Sequence, residues 1–353
     1  MGYKLRDLTI EVTRKCPLKC LFCSSGSSPS ADETLDYNEV TSIIDEALSL
    51  GVESISFSGG EPFVYPHLFE AIEYIKNHDN SVEVVIYTSG NIFEEDKRVS
   101  LSKELLKNAK DAGTDKIVFS LHGCKEEHDT LTGVRGSFEN VIRSMLNAKS
   151  LDINLEVHFV PTRLNYKSIK NVAGLLLALG IPSLHILRFV PQGRGKEYRA
   201  SLQLTWKEEL ELREIVESIK KQMDIEVYTG AHYNALFLDP EIARKHSCTA
   251  GIEKATVMPD GGVVPCSALK DHEFWHHVDS IREKPLSEIW NSSDVFVTTR
   301  NYLIGVFKEG PCSRCPLKNV CKGGCLAQRL VVDKDNPISY PDPLCARLHG
   351  ETQ

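Results

Sequence analysis

Three cysteines near the start of the chain are spaced to share one metal centre. Cys16, Cys20 and Cys23 lie in the run CPLKCLFC, a C-x3-C-x2-C spacing with an aromatic residue before the last thiol. Three thiolates can hold three irons of a cubane cluster and leave its fourth iron open for a ligand. A zinc site is the alternative, but zinc sites usually combine two C-x2-C pairs, and no second pair lies nearby in the sequence. The spacing therefore favours an iron–sulfur cluster with one reactive iron.

This run of residues resembles the signature of the radical S-adenosylmethionine (SAM) enzymes, including the aromatic residue at Phe22. The resemblance implies that the three thiols bind a 4Fe-4S cluster and that the amino and carboxylate groups of SAM chelate the fourth iron. In that family one electron cleaves SAM to a 5'-deoxyadenosyl radical, which then abstracts a hydrogen atom from the substrate. By the same resemblance, Phe22 is expected to lie beside SAM.

The composition indicates an ordinary globular protein of one large domain, or of a large and a smaller one. The chain has 353 residues, of which 41% are hydrophobic and 25% charged, as in typical folded domains. A formal net charge of −8 argues against a nucleic-acid partner, which would need a basic face. Neither a signal peptide nor a membrane-spanning segment is recognisable, which predicts a cytoplasmic protein with no membrane partner. In that reducing compartment, eleven cysteines indicate metal ligation rather than disulfides.

Alternating strands and helices must position the cysteine segment. Apolar and β-branched runs predict six strands, and amphipathic runs between them predict helices. The strands are expected at 8–12, 53–58, 82–87, 116–121, 154–160 and 184–189, and helices near 37–50, 67–77, 100–112, 137–149, 166–179 and 206–222. Six parallel βα units predict an α/β fold, a partial (β/α)6 TIM-like barrel. Radical SAM enzymes are similar in this respect, and such barrels carry their chemistry at the C-terminal ends of the strands.

Small polar motifs follow several of these strands. Glycines after strand two let the backbone approach a ligand closely, although a lone GGEP could also be a tight turn. After the cysteine segment it resembles the family motif that grips the amino group of SAM. By resemblance, the residues expected to contact SAM are Gly59, Gly60, Glu61, Pro62, Ser89, Ser120, Arg135 and Val190, together with Phe22.

Four further residues are candidates for substrate chemistry. Arg188 and Arg194, in a block similar to the haem-synthesis and quinone-cofactor branches of the family, could each hold a substrate carboxylate. The alternative is that both are solvated loop charges. His122 and Cys124 depart from the common family pattern and are expected to face the SAM pocket. His122 could be a general base or a simple hydrogen-bonding group, and Cys124 could donate a hydrogen atom or be a small buried apolar residue.

Seven more cysteines lie in the C-terminal part of the chain. Their array resembles the SPASM domain, which carries two auxiliary iron–sulfur clusters in a subgroup of radical SAM enzymes. The resemblance assigns the first cluster to Cys248, Cys266 and Cys325, and the second to Cys312, Cys315, Cys321 and Cys345. Two 4Fe-4S clusters with four protein ligands each require eight ligands. The first cluster is therefore expected to have an open iron, a non-cysteine ligand or a two-iron form.

The alternative for this region is a zinc ribbon built on the four cysteines between 312 and 325, which would leave the other three unexplained. The favoured division of the chain is a radical SAM barrel at 1–223, a connector at 224–245 and a SPASM module with two clusters at 246–353.

The favoured function is a radical SAM/SPASM enzyme that oxidatively modifies a peptide or protein side chain through C–H abstraction, giving a crosslink, an oxidation or an epimerisation. Flavodoxin or ferredoxin would supply electrons. Because the first strand begins near residue 8, a leader peptide would need a separate recognition protein or direct recognition. The alternatives are radical modification of a small molecule, such as a haem or cofactor precursor or a sugar alcohol, and a non-catalytic iron–sulfur electron carrier.

Overall fold

The computed structural model describes residues 2–95, 97–239, 241 and 247–350. Its strands are β1 (Asp7–Thr13), β2 (Ser54–Gly59), β3 (Glu83–Thr88), β4 (Asn91–Glu94), β5 (Lys97–Ser100), β6 (Lys116–Ser120), β7 (Leu155–Phe159), β8 (Ser183–Ile186), β9 (Glu226–Tyr228), β10 (Lys254–Val257) and β11 (Val263–Val264). Its first six helices are α1 (Tyr37–Ser49), α2 (Leu68–His78), α3 (Lys103–Asp111), α4 (Lys125–Thr132), α5 (Ser137–Lys149) and α6 (Ile169–Leu179).

The remaining helices follow in the second half of the chain. They are α7 (Arg199–Leu202), α8 (Trp206–Gln222), α9 (Asn234–Phe237), α10 (Leu286–Ser292), α11 (Asp294–Gly305), α12 (Gly310–Ser313), α13 (Lys318–Cys321) and α14 (Leu326–Val332). Single 3-10 turns occupy Pro62–Val64, Tyr166–Ser168, Gly193–Lys196, Ala231–Tyr233, His272–Phe274 and Ala346–His349. In the described part of the chain, no helix is long and apolar enough to cross a membrane.

The six predicted strands lie side by side in one parallel sheet. Its order is β11-β10-β1-β2-β3-β6-β7-β8-β9, and every pair except β10 with β11 is parallel. Helices connect the parallel strands, as parallel pairing requires. The sheet is open, with β11 at one edge and β9 at the other. The predicted α/β class and partial barrel are confirmed.

The predicted division at residue 223 runs through this sheet. Strand β9, in the predicted connector, pairs with β8, and β10, in the predicted C-terminal module, pairs with β1. Both strands are too short to give a periodic signal of their own. Residues 240 and 242–246 of the predicted connector lie outside the described residues. One hydrogen-bonded sheet therefore joins the barrel to the segment that carries the later cysteines.

The core forms where apolar strand residues meet the helices. Phe57, Phe119 and Phe159 are completely buried in the main hydrophobic core. The intervening residues of β7, Glu156 and His158, are only partly buried, because successive side chains of a strand point to opposite faces. The barrel thus has an apolar outer layer under its helices and a polar inner face.

Helix boundaries explain why the predicted helices are largely correct. Helix α1 begins with a capping box, in which Asp36 accepts from the Glu39 backbone and the Glu39 side chain accepts from the Asp36 backbone. Thr205 and Glu208 form the same arrangement at α8. Strands β4 and β5 pair with each other, and β5 ends at Ser100, so the helix expected at 100–112 begins only at Lys103.

Candidate active site

The cysteine segment forms a loop that follows β1. The backbone N–H of Cys16 donates to the Ser28 carbonyl over 3.0 Å, and the N–H of Cys23 donates to the Cys20 carbonyl over 3.2 Å. Burial, followed by the nearby Cys20 thiol, raises the pKa of Cys16 well above its usual range. A thiolate at such a position needs positive charge close by, which bound iron supplies. The three thiols therefore fit a metal cluster.

Arg194 braces this loop from the segment after β8. Its guanidinium donates to the carbonyl oxygens of Cys20, Gly26 and Ser27 over 2.8, 3.0 and 2.7 Å. Its backbone N–H donates to the carbonyl of Cys23 over 3.0 Å. The five donors of an arginine form a fixed fork, and these contacts use it within the protein. This corrects the expectation that Arg194 holds a substrate carboxylate.

The GGEP turn after β2 is joined to the cysteine loop by its backbone. The N–H of Gly60 donates to the Thr13 carbonyl over 2.6 Å, and the N–H of Glu61 donates to the Lys15 carbonyl over 3.0 Å. A Cβ atom on Gly60 would lie only 2.1 Å from the Lys15 carbonyl oxygen. Only glycine permits this approach, so the motif holds the residue directly before Cys16.

The Glu61 side chain lies beneath the turn and is completely buried. Its carboxylate accepts hydrogen bonds from the Thr88 hydroxyl at 2.7 Å and from the Ser89 hydroxyl and backbone N–H at 2.6 and 2.8 Å. The N–H of Phe63 also donates to it, over 3.3 Å. Burial raises the pKa of Glu61, whereas these hydrogen bonds act in the opposite direction. Glu61 and Ser89 therefore fix the ends of β2 and β3 relative to each other.

Gly60→Ala is expected to destabilise the fold by about 2–3 kcal/mol, because the new methyl group must push the backbone before Cys16 aside. It should also reduce the iron bound at the cysteine loop. Gly174→Ala in α6 is the matched control, since its Cβ would meet Met223 at an ordinary 3.8 Å; replacing a helical glycine should stabilise by roughly 0.5–1 kcal/mol. Denaturant unfolding and iron content measure both effects. Equal behaviour of the two variants would contradict the role given to Gly60.

His122 lies against the aromatic residue of the cysteine segment. The ring centroids of His122 and Phe22 are 4.6 Å apart in an edge-to-face arrangement. The N–H of Val160 donates to Nδ1 of His122 over 3.2 Å. Burial, followed by the charge of His128, lowers the pKa of His122 well below its usual range. The neutral ring therefore carries its proton on Nε2 and has no free lone pair, so it fits a hydrogen-bond donor rather than a general base.

Cys124 directly precedes α4 and is partly buried. Its thiol hydrogen-bonds the side chain of Asn171, an exposed residue of α6. Burial and the charge of Glu127 raise the pKa of Cys124. The thiol thus has a partner on α6, and its role as a hydrogen-atom donor at the SAM pocket stays a prediction.

Three other candidates for contacting SAM occupy different environments. Ser120 ends β6 on the polar inner face and is partly buried. Arg135 is exposed in the turn between α4 and α5. Val190 packs against the apolar cluster that contains Cys266 and Cys325. The structure thus brings Ser120 to the barrel opening, whereas Arg135 lies at the surface.

Arg188 joins the barrel to the C-terminal segment. Its guanidinium donates to the Asp342 carboxylate over 2.8 Å and to the His232 carbonyl over 3.2 Å, and both charged side chains are almost completely buried. Asp342 also accepts from the backbone N–H of Cys325 over 2.7 Å. Asp342 thus compensates the charge of Arg188, and a contact of Arg188 with a substrate carboxylate stays a prediction.

The seven C-terminal thiols form two groups. Electrostatic interactions link Cys248, Cys266 and Cys325 to one another, and burial is the largest cause that raises the pKa of Cys248 to about 12. A second group contains Cys312, Cys315, Cys321 and Cys345. These are the two sets that the sequence resemblance assigns to separate clusters.

The surroundings of Arg329 also indicate whether the C-terminal thiols could hold anionic clusters. Arg329 is completely buried, and the charges of Cys312, Asp342, Cys325 and Cys248 act on it. Its Nη1 donates to the Pro337 carbonyl over 3.2 Å, but its Nε and Nη2 have no hydrogen-bond partner among the described residues. A buried cation with unused donors needs an anionic partner. Anionic iron–sulfur clusters held by these thiolates would provide one.

A buried ion pair holds the C-terminal segment against the cysteine loop. Nζ of Lys270 donates to the Glu11 carboxylate over 2.7 Å and to the Ser25 hydroxyl over 2.6 Å. Their charged side chains are 6% and 4% exposed. Nearby, the Gln192 side chain accepts from the backbone N–H of Asp271 over 3.1 Å. Sequence reasoning missed Lys270 and Glu11, because the signal is only their proximity in the fold.

On the polar inner face of the barrel, three side chains other than cysteines are close enough together to bind a metal ion. Glu156, His158 and His185 bring their ligand atoms within 4.8 Å of one another. Nζ of Lys116, however, lies 2.8 Å from the Glu156 carboxylate. Its positive charge opposes a divalent cation at this place, so we assign this group to the hydrogen-bonded lining of the barrel.

The protein combines an open parallel sheet with a cysteine loop after β1 and two later groups of thiols. These features define an iron–sulfur protein of the partial-barrel class. The Radical SAM superfamily model matches residues 10–176, and the SPASM model, an iron–sulfur cluster-binding domain, matches residues 248–316. The chain belongs to the radical SAM superfamily, carries a C-terminal SPASM domain and is an enzyme. Its family chemistry uses SAM and iron–sulfur clusters.

Curated relatives extend over nearly the whole chain. It is 27% identical over 371 residues to the AdoMet-dependent heme synthase of Methanosarcina barkeri, covering 98% of this chain and 97% of that protein. It is 28% identical over 351 residues to the PqqA peptide cyclase of Granulibacter bethesdensis, covering 96% and 86%. These relatives act on different kinds of substrate.

A solved structure shares the fold. The crystal structure of Streptococcus suis SuiB bound to precursor peptide SuiA superposes with a TM-score of 0.75 at 18% identity. The match covers 98% of this chain and 76% of that one.

Proposed function

We propose that this enzyme cleaves SAM reductively and uses the resulting radical to modify a peptide or protein side chain oxidatively. The observation that carries the proposal is the attachment of the C-terminal thiol segment to the cysteine loop. Lys270 contacts Ser25, two residues after Cys23, over 2.6 Å, and the Arg188–Asp342 pair connects β8 to Cys325. An electron acceptor held by the C-terminal thiols would therefore lie close to the reacting centre.

SAM would bind at the C-terminal ends of the strands, on the inner side of the sheet. Phe22 supplies an apolar surface, and the turn from Gly59 to Pro62 offers backbone groups at the strand end, because the Glu61 carboxylate is already used. Ser89, Ser120, Arg135 and Val190 are the further contacts we assign to SAM. Cys16, Cys20 and Cys23 would hold the cluster that, when bound, supplies the electron for SAM cleavage.

We assign one auxiliary cluster to Cys248, Cys266 and Cys325, and a second to Cys312, Cys315, Cys321 and Cys345, both of the 4Fe-4S type. Arg329 would stabilise both, since its charge acts on thiols of both sets. The first set supplies three thiols, so its fourth iron position is open for another ligand. Net oxidation of the substrate follows if these clusters accept the electron that remains on the substrate radical.

A small-molecule substrate is the second candidate function. The relative from Methanosarcina barkeri, which is matched over 97% of its length, is a heme synthase. A tetrapyrrole carries several carboxylates, and the two arginines expected to bind them, Arg188 and Arg194, are paired within the protein. This pairing favours the peptide substrate.

The partners follow from this chemistry. A flavodoxin or ferredoxin would deliver electrons, and a separate protein could present the peptide. We assign the enzyme to the cytoplasm, a reducing compartment in which its eleven cysteines would serve as metal ligands rather than form disulfides.

The test compares substrates by their effect on SAM cleavage. Anaerobic, reduced enzyme is incubated with SAM and either a peptide mixture or iron coproporphyrin, and 5'-deoxyadenosine is measured. A peptide fraction should accelerate its formation about tenfold or more, because correct substrate binding organises the reacting centre. Acceleration by the porphyrin and by none of the peptides would overturn the peptide assignment in favour of the second candidate.

A further inference from the structure

A cavity of about 200 Å³ lies between the barrel and the C-terminal segment. It is bordered by α8, by the residues that follow β7 and β8, and by the chain near residue 344. Its walls include Arg188, Phe189, Trp206, Glu209, Leu344 and His349. The walls are mainly apolar and aromatic, with two charged side chains, a composition typical of small-molecule and side-chain pockets.

Glu209 is the unusual member of this lining. Its side chain lies in the first turn of α8 and is 7% exposed, and its Oε2 has no hydrogen-bond partner among the described residues. Burial raises the pKa of Glu209 to about 7, against the opposing effect of Arg188. Leaving a buried carboxylate oxygen without a donor is costly. A ligand that brings a hydrogen-bond donor would remove this cost.

Glu209 is the acidic side chain of the cavity wall. The guanidinium of Arg188 is paired with Asp342 at 2.8 Å, and a cation that enters the cavity favours the ionised form of the Glu209 carboxyl. Aromatic rings complete the lining: Trp206 and His349 are stacked with centroids 3.9 Å apart, and Phe189 also lines the cavity. A negative charge beside aromatic rings favours a cation over an anion.

The position of the cavity links it to the reacting centre. Phe189 belongs to the same apolar cluster as Phe22 of the cysteine segment. On the other side, Asp342 accepts a hydrogen bond from the backbone of Cys325 over 2.7 Å. A group seated in the cavity would therefore be held between the SAM-cluster loop and one of the auxiliary thiols.

We propose that this cavity is a recognition subsite for an ammonium group of the substrate, either a lysine side chain or the amino terminus of a peptide. The inference rests on the proposed function and specifies its substrate class. The cavity, at about 200 Å³, is smaller than the roughly 300–1,000 Å³ of pockets for drug-sized ligands, which suits the end of one side chain better than a tetrapyrrole. Glu209 accepts the ammonium hydrogens, and the aromatic walls enclose the attached carbon chain.

The experiment measures binding of two fluorinated probes of equal size to the anaerobic holoenzyme by ligand-observed fluorine NMR. Para-fluorobenzylamine carries the ammonium group, and para-fluorobenzoate carries the opposite charge. We expect the amine to bind about tenfold or more tightly than the benzoate, and Glu209→Gln to weaken amine binding about tenfold or more. Glu214→Gln, an exposed position on the same helix, removes the same charge and should leave the affinity unchanged.

Three results would overturn the subsite: no amine binding to the wild-type enzyme, equal binding of amine and benzoate, or an unchanged affinity in Glu209→Gln. The comparison of the two probes uses the wild-type protein and therefore does not depend on the variant folding; the unfolding midpoint of the variant is checked separately. Formation of 5'-deoxyadenosine by the wild-type enzyme separates the two proposals. SAM cleavage without amine binding removes only the subsite, whereas amine binding without SAM cleavage removes the proposed function.

Discussion

Cys20→Ala is expected to lower formation of 5'-deoxyadenosine from SAM by at least about 1,000-fold, to the background without enzyme. Cys20 is the central thiol of the cysteine loop, and its carbonyl is fixed by Arg194 at 2.8 Å. Two remaining thiols cannot hold a cluster with one open iron in a defined position. The iron content should fall from about twelve to about eight per chain, because the C-terminal thiols are unchanged.

Cys124→Ala is the control for this variant. Its thiol contacts Asn171 on the outer helix α6, so its removal should change neither the iron content nor SAM cleavage. Anaerobic iron assays and chromatography of the nucleoside product measure both variants. Retained SAM cleavage in Cys20→Ala would contradict the assignment of the cysteine loop, and loss of cleavage in Cys124→Ala would contradict the position given to that thiol.

Lys270→Met is expected to destabilise the protein by about 3–5 kcal/mol, because it leaves the buried Glu11 carboxylate without its cation. Glu11→Met should be similarly costly, since Lys270 is then the uncompensated charge. The double variant Lys270→Met/Glu11→Met removes both charges and should recover much of this loss. The loss should also lower iron binding at the cysteine loop, where Ser25 contacts Lys270 over 2.6 Å.

An exposed ion pair provides the comparison for these variants of the buried pair. Lys4 and Glu53 are also 2.7 Å apart, but each side chain is 50% exposed. Lys4→Met should therefore cost at most about 1 kcal/mol. Denaturant unfolding gives the free energies for all variants. Two results would contradict the role of the buried pair. The single variants could lose as little unfolding free energy as Lys4→Met, or the loss in the double variant could equal the sum of the two single losses.

The sequence predicts the barrel well because its strands and helices carry strong local patterns. Each of the six strands is a run of apolar or β-branched residues, and helices such as α8 begin with a capping motif visible in the sequence. The short strands β9 and β10 and the β4–β5 hairpin lack such patterns. They form because longer neighbours offer a hydrogen-bonding edge, which is a property of the fold.

The candidate site is predictable where chemistry depends on spacing along the chain. The cysteine segment and the GGEP turn are of this kind, and the C-terminal thiols are grouped as their spacing and the resemblance suggest. The arginines are different, because a guanidinium can serve a ligand or the protein equally well. Arg188 meets Asp342, which is 154 positions away in the sequence, and Glu209 meets the cavity only through packing. Such contacts leave no local signal.

The central claim is that this chain holds a cluster that cleaves SAM, and anaerobic reconstitution tests it most directly. Iron and sulfide are counted per chain, and 5'-deoxyadenosine is measured after addition of dithionite and SAM. The account predicts about twelve irons and formation of the nucleoside that requires both SAM and the reductant. A fully reconstituted, reduced enzyme that forms no 5'-deoxyadenosine would contradict it.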